Sequence, residues 1–135
     1  MPTLNPAVQK DGSGTAANAS KSNYGAAALV VTSEEKAKAQ GWKPIARIVA
    51  HAGHAQEPEW FTTAPVGAIQ KLLAKTGLAV SDVDLFEINE AFAAVALAAI
   101  RELSLDPAKV NVRGGAVALG HPIGASGARI LTTLI

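Results

Sequence analysis

The chain has 135 residues, of which 49% are hydrophobic, 17% are charged and 4% are aromatic, and its formal net charge is +1. This length suits one domain or a piece of a larger one, and the composition predicts an aliphatic, alanine-rich core. The near-neutral charge excludes the strong basic field typical of nucleic-acid or membrane-surface binding. Because cysteine is absent, the chain's own residues cannot form a disulfide, a zinc–thiolate site or a cysteine nucleophile.

Targeting and membrane signals are not evident in the sequence. No run of about 18 uncharged apolar residues occurs, and the N-terminus lacks the apolar segment of a signal peptide. We therefore expect a cytoplasmic protein without a membrane partner and without a nucleic-acid partner.

The first quarter of the chain changes from a polar loop to regular structure. Residues 1–22 are rich in Pro, Gly, Ser, Thr, Asn and Ala, which predicts a loop, although such a composition is also typical of a disordered tail. The apolar run at 26–31 predicts a strand buried on both faces. Ser33 followed by two acids is typical of a helix start, and we expect a helix over 34–40 that ends at Gly41.

A second strand is expected at residues 45–50, and two histidines follow it. His51 and His54 have a spacing that suits a metal on a helix, but they lie at a predicted strand end without further ligands, so we expect no metal site there. Trp60 and Phe61 follow in a Pro- and acid-bearing loop. These aromatics either anchor the loop by packing or line a pocket.

The middle of the chain predicts two helices and two further strands. Residues 65–76 form an amphipathic pattern with proline in the first turn, and residues 84–88 predict a third strand. Residues 89–103 predict a helix that is apolar on all sides from 91 to 100 and therefore buried, with Asn89 as its N-cap. A short strand, or a bridge into the glycine-rich loop, is expected at 110–112. The alternation of strands and helices indicates an α/β sandwich.

Residues 114–129, GGAVALGHPIGASGAR, form the densest cluster of glycine in the chain. Glycines permit close backbone approach and positive φ angles. Pro122 favours an extended backbone at His121, and we expect the small residues that follow to lead into a helix from residue 128 onward. Taken alone, the stretch is compatible either with a tight turn carrying an incidental histidine or with a loop that presents the histidine for chemistry.

Three stretches together resemble a known family. GGAVALGHPIGASGARIL resembles the histidine loop of the thiolases, the acyl-CoA C-acyltransferases; NEAFAA at 89–94 resembles their asparagine motif; and DGSGTAANAS at 11–20 resembles their CoA-binding loop. The three occur in family order, and the resemblance covers nearly the whole chain. It implies a place in fatty acid metabolism and an acetyl-CoA C-acetyltransferase activity.

The resemblance implies a role for each matching residue. His121 matches the histidine that activates the nucleophilic cysteine and donates to an oxyanion hole, and Asn89 matches the asparagine that positions the water of that hole. Phe92 resembles the pocket phenylalanine. Ser20 matches the serine that hydrogen-bonds the pantetheine arm of CoA, with Ala16 close by. No permanently bound cofactor and no metal are implied; coenzyme A and acetyl-CoA would be substrates.

The loop after Ser20 departs from the family pattern. Thiolases usually have Gly-hydrophobic-Asn-Asp-Gly there, whereas this chain has Lys21 and Tyr24 in the first and fourth places. Lysine lacks the tolerance of glycine for positive φ. The path of this loop therefore depends on whether the position needs such a conformation.

The implied fold class is α/β, a thiolase-like layered sandwich with a mixed sheet and helices on both faces, present here as an incomplete C-terminal half. We assign residues 1–24 to a CoA-covering loop segment and residues 25–135 to a thiolase C-terminal domain that ends before the family's last strands. The implied partners are acyl-CoA thioesters, a cysteine-bearing N-terminal thiolase half, and further copies in a homodimer or homotetramer. The isolated chain is expected to be inactive for lack of the cysteine. The alternative is a noncatalytic thiolase-like module that binds acyl-CoA or assembles with a partner.

Overall fold

A computed structural model describes residues 3–135 of the chain. The described residues form five α-helices: α1 (Glu34–Ala39), α2 (Ala64–Thr76), α3 (Ala93–Glu102), α4 (Ala116–Leu119) and α5 (Ile123–Leu134). Three 3₁₀ segments lie between them, at Pro58–Thr63, Val80–Asp82 and Pro107–Lys109. Within residues 3–135, no helix combines the length and apolar character needed to cross a membrane.

The first two predicted helices are confirmed, and their ends follow from local chemistry. The Ser33 hydroxyl caps α1 by accepting a 3.2 Å hydrogen bond from the Lys36 N–H, which satisfies one of the free donors of the first turn. Gly41 follows α1 with φ of 66° and Gly77 follows α2 with φ of 73°. Glycine ends both helices because it adopts this left-handed backbone without a steric penalty.

The next helix begins later than the sequence predicts. α3 starts at Ala93, and its N-cap is the extended residue Phe92, so the prediction of Asn89 as N-cap is wrong. The backbone before α3 is instead held by the N-terminal loop. The Ser20 N–H donates to the Ala91 carbonyl over 3.0 Å, and the Ala93 N–H donates to the Asn18 carbonyl over 2.8 Å.

The four predicted strands do not form as strands within the described part of the chain. Residues 26–31 and 45–50 form no regular structure and most of them are exposed, with Val30 at 89% exposure. Burial of these runs in a sheet would require partner strands that residues 3–135 do not supply. Residues 84–88 and 110–112 do meet, through a single parallel bridge between Phe86 and Val110.

The C-terminal part differs from the prediction in two places. The short helix α4 was not expected, and α5 begins at Ile123 rather than at residue 128. The first turn of α5 closes because the Pro122 carbonyl accepts from the N–H groups of Ala125 and Ser126 over 2.8 and 2.9 Å. The glycines at 124 and 127 are therefore helical residues, which a helix tolerates at a cost of about 1 kcal/mol each.

An aliphatic core lies where α2, α3 and the extended segment before Asn89 meet. Its buried members are Ile88, Val95, Ala96, Ala99 and Leu105. The predicted burial of α3 is confirmed for this face only, because Leu97 on another face is 52% exposed. The core fixes α3 and Ile88 to one another, and so it supports the backbone at Asn89.

Candidate active site

His121 lies outside any helix, as Pro122 predicts, in the link between α4 and α5. Gly120 precedes it with φ of 97° and ψ of 165°, a conformation that is essentially restricted to glycine. The His121 N–H donates a 2.8 Å hydrogen bond to the Lys21 carbonyl. The histidine is therefore fixed both by its own loop and by the N-terminal loop.

The His121 imidazole is oriented by a buried serine. Ser126 is 4% exposed, and its Oγ lies 2.6 Å from His121 Nδ1 and 3.1 Å from the Pro122 carbonyl oxygen. Because the carbonyl can only accept, the hydroxyl donates to it and accepts from Nδ1–H. A neutral imidazole in this tautomer carries its lone pair on Nε2.

Asn89 faces that second ring nitrogen. Its Nδ2 lies 3.4 Å from His121 Nε2, a separation longer than that of an ordinary hydrogen bond, so the Nε2 lone pair is not strongly engaged by the asparagine. Its Oδ1 is buried and accepts no hydrogen bond from the described residues. The start of α3 at Ala93 leaves Asn89 outside the helix, so its side chain faces His121 instead of capping the helix.

The N-terminal loop brings a third predicted motif to the same place. Ser20 donates from Oγ to the Ala91 carbonyl over 2.8 Å, and Ala19 forms an antiparallel bridge with Phe92. Ser20 and Phe92 therefore adjoin the segment that carries Asn89. Ala16 is exposed, in the turn at residues 16–18 of the same loop.

The aromatic residues near the site pack against each other. The Phe92 ring meets the Phe61 ring edge-on, with centroids 6.2 Å apart and an interplanar angle of 66°. This arrangement is favourable for an aromatic pair. It agrees with the packing interpretation of Phe61, whereas Trp60 remains 63% exposed.

The lysine in the CoA-loop motif does not disturb the backbone. Among residues 3–135, the non-glycine residues with positive φ are Ser104 and Asn111. Lys21 therefore has a backbone conformation open to any residue, and glycine is not required there. The same loop touches the histidine loop a second time, because Asn23 Nδ2 donates to the Leu119 carbonyl over 3.4 Å.

The other two histidines take no part in this site. His54 Nε2 lies 3.1 Å from Gln56 Oε1, and His51 is exposed. In the described range, no three His, Cys, Asp or Glu side chains cluster in a way that could hold a metal ion.

Comparison with known proteins places the chain in a family. Residues 42–135 match the sequence profile described as "Thiolase, C-terminal domain". The chain belongs to the thiolase family. It is 54% identical over 132 residues to a probable acetyl-CoA acyltransferase of Staphylococcus aureus, a match that covers 98% of this chain and 34% of the relative. This thiolase chain thus spans about a third of the length of the curated relatives it matches.

Solved structures agree with this assignment. The acetyl-CoA acetyltransferase of Bacillus anthracis superimposes with a TM-score of 0.94 at 53% identity, over 98% of this thiolase chain and 34% of its own. The Acat5 thiolase of Ascaris suum, solved in complex with coenzyme A, gives a TM-score of 0.89 at 50% identity. The match covers 98% of this chain and 35% of the Acat5 chain. The predicted fold class is therefore confirmed. Residues 3–135 themselves form only isolated bridges and no sheet. The boundary at residue 25 stays a prediction.

Two residues of the site were missed by the sequence analysis. Ser126 could have been found from its spacing. It lies five residues after the histidine, and the first turn of α5 places its side chain against the imidazole. Asn111 has no such signal, because it is brought to the site by hydrogen bonds to residues more than 20 positions earlier in the chain, among them Ile88 and Glu90.

Proposed function

We propose that this thiolase chain supplies the histidine and asparagine of an acyl-transfer site that forms acetoacetyl-CoA by Claisen condensation or cleaves it by the reverse reaction, thiolysis with CoA. The observation that carries the proposal is the approach of Asn89 to the Nε2 face of His121, with Nδ1 held by Ser126. The substrates are acyl-CoA thioesters, and the nucleophilic cysteine comes from a thiolase N-terminal half, since this chain has none.

His121 acts first as a base. The tautomer set by Ser126 leaves a lone pair on Nε2, which takes the proton of the cysteine thiol while the thiolate attacks the thioester carbonyl. The protonated ring then carries an N–H at Nε2. That N–H donates to the negative charge that develops on the thioester oxygen. When the tetrahedral intermediate collapses, the bond to the CoA sulfur breaks and CoA leaves with the Nε2 proton, so the acyl group remains on the cysteine and the imidazole is neutral again.

Asn89 completes the same oxyanion site. Its buried Oδ1 has no partner among the described residues, and a buried carbonyl oxygen of this kind is usually satisfied by a hydrogen bond. We assign it to a water molecule that donates to Oδ1 and, through its other hydrogen, to the thioester oxygen. Loss of one such donor typically lowers kcat by about 10² to 10³.

The N-terminal loop contacts the CoA arm. The Ser20 hydroxyl donates to the Ala91 carbonyl, so its oxygen remains free to accept from a pantetheine amide. By the family resemblance we assign Phe92 to the acyl end of the CoA site and Ala16 to its outer part. We assign the complete enzyme to the cytoplasm and to a homodimer or homotetramer.

The decisive experiment grafts this chain into a related enzyme. The matched third of the Bacillus anthracis acetyl-CoA acetyltransferase is replaced by the corresponding residues of this chain, and the product is called the grafted enzyme below. We expect CoA-dependent thiolysis of acetoacetyl-CoA by the grafted enzyme. His121→Ala and Asn89→Ala should each lower kcat by about 10² or more, while Asn5→Ala, an exposed loop change, should leave kcat unaltered.

A grafted enzyme that folds and binds CoA but has no activity would contradict the catalytic proposal. The chain would then fit the second candidate, a noncatalytic module that binds acyl-CoA or assembles with a partner. The exposed apolar runs at 26–31 and 45–50 favour assembly, since large exposed apolar patches mark interaction surfaces. Calorimetry of the 135-residue chain with CoA distinguishes a CoA-binding module from an assembly module. Only the CoA-binding module should release heat when CoA is added.

A further inference from the structure

One side chain holds both neighbours of Asn89 in the sequence. Asn111 Oδ1 accepts from the Ile88 N–H over 2.7 Å, and Asn111 Nδ2 donates to the Ile88 carbonyl over 2.9 Å. The same Nδ2 donates to Glu90 Oε1 over 2.8 Å. Ile88 and Glu90 flank Asn89, so the Asn111 amide bridges the backbone on one side of Asn89 and the side chain on the other.

The backbone of Asn111 is arranged for this contact. Its φ is 49°, a left-handed conformation that asparagine tolerates better than most residues. The parallel bridge between Phe86 and Val110 and the 2.8 Å hydrogen bond from the Asn111 N–H to the Phe86 carbonyl fix its position. The side chain therefore turns towards residues 88–90 from a defined place.

Glu90 extends the connection to the histidine. Its Oε2 accepts a 3.1 Å hydrogen bond from the Val117 N–H in the first turn of α4. A Cβ on Gly115 would collide with this carboxylate, so the bare glycine lets Glu90 lie against the backbone. α4 ends at Gly120, the residue before His121.

We propose that Asn111 and Glu90 are positioning residues that set the separation of Asn89 from His121. The path runs from Asn111 to both neighbours of Asn89, and from Glu90 through α4 to the histidine loop. Neither residue touches the reacting atoms; they act through Asn89. The inference rests on the proposed function, because it assigns the pair a part in that reaction.

Two variants of the grafted enzyme change the hydrogen bonds with little change of shape. Glu90→Gln has only one acceptor oxygen for the two donors, Asn111 Nδ2 and the Val117 N–H. Asn111→Asp keeps the tolerance for positive φ but turns the donor into an oxygen that faces the Glu90 carboxylate. Asp106→Asn is the matched control, since it makes the same carboxylate-to-amide change at a side chain that accepts the Ala108 N–H, away from the site.

The test is a double-mutant cycle with Asn89. We expect Glu90→Gln and Asn111→Asp each to lower kcat about tenfold with KM for acetoacetyl-CoA changed less than about twofold. In an Asn89→Ala background the same changes should lower kcat less than about twofold, because the group they position is gone. Asp106→Asn should have no effect in either background. Melting temperatures of all variants establish that the comparison is between folded proteins.

Each result bears on a different claim. Equal losses of kcat with and without Asn89 would overturn the positioning role, and so would failure of both variants to fold, since either result assigns the network to folding alone. Full activity of the grafted enzyme with Asn89→Ala would instead overturn the proposed function. The two failures are therefore distinguishable.

Discussion

His121 and Ser126 are joined by a 2.6 Å hydrogen bond across the first turn of α5. The serine hydroxyl also donates to the Pro122 carbonyl, so its own proton is committed and it can only accept from the imidazole. The loop and the helix are therefore linked, because the helix that begins after His121 places the Ser126 hydroxyl against its imidazole. As a result, the lone pair of the ring is on Nε2, the nitrogen that lies 3.4 Å from Asn89 Nδ2.

Ser126→Ala should lower kcat of the grafted enzyme by about two- to tenfold, the worth of one ordinary hydrogen bond. The imidazole would lose the partner that selects its tautomer, and Nε2 would carry the proton in part of the population. Steady-state kinetics give kcat, and ¹⁵N NMR of labelled histidine gives the tautomer. The matched control is Thr132→Ala, which removes a hydroxyl of the same helix that bonds only to the Ala128 carbonyl at an exposed position. An unchanged ¹⁵N spectrum in Ser126→Ala would show that the serine does not select the tautomer.

The sequence predicts those features that depend on neighbouring residues. Ser33 and Gly41 delimit α1 because a cap and a left-handed glycine act within one turn. Pro122 keeps His121 out of a helix by local sterics. The motif resemblance then brings Asn89 and His121 together, which no local rule could do.

The errors arise where distant residues decide the structure. Asn89 has the side chain of a good N-cap, but Ser20 and Asn18 bind the backbone of Ala91 and Ala93, and the helix begins only after the extended Phe92. The runs at 26–31 and 45–50 have strand composition, yet a strand exists only when a partner completes its ladder. Asn111 takes a left-handed backbone next to a parallel bridge, and no pattern around it in the sequence indicates either feature.

The Ser20 hydroxyl should matter for CoA and not for the chemical step. Ser20→Ala removes the oxygen proposed to accept from the pantetheine amide, and it also removes the bond to the Ala91 carbonyl. We expect KM for acetoacetyl-CoA and for CoA to rise about two- to tenfold, with kcat nearly unchanged, in initial-rate measurements on the grafted enzyme. Ser22→Ala, an exposed serine two residues later, is the control and should leave both constants unaltered. A fall in kcat at constant KM would argue that Ser20 supports Asn89 instead of CoA.

The core beneath the site should not accept a larger side chain at Ala99. This residue is 0% exposed in the face of α3 that packs on Ile88 and Leu105. Ala99→Leu should lower the free energy of unfolding by about 1–3 kcal/mol because close-packed neighbours must move. Ala94→Leu places the same side chain on an exposed position of the same helix and should change stability by less than about 0.5 kcal/mol. Urea unfolding of the grafted enzyme measures both, and equal losses would mean that this face is loosely packed.

Gly120 should be the least replaceable glycine of the histidine loop. Its φ of 97° and ψ of 165° cost a residue with a Cβ about 1–3 kcal/mol, and that Cβ would collide with the Asn23 amide. In Gly120→Ala the next residue, His121, must shift, so both the melting temperature and kcat of the grafted enzyme should fall. Gly124→Ala is the control: it lies inside α5, where a Cβ meets nothing within 4 Å, and it should be neutral or stabilising by up to about 1 kcal/mol. Calorimetry and thiolysis rates on the two variants check the contrast, which would fail if both substitutions behaved alike.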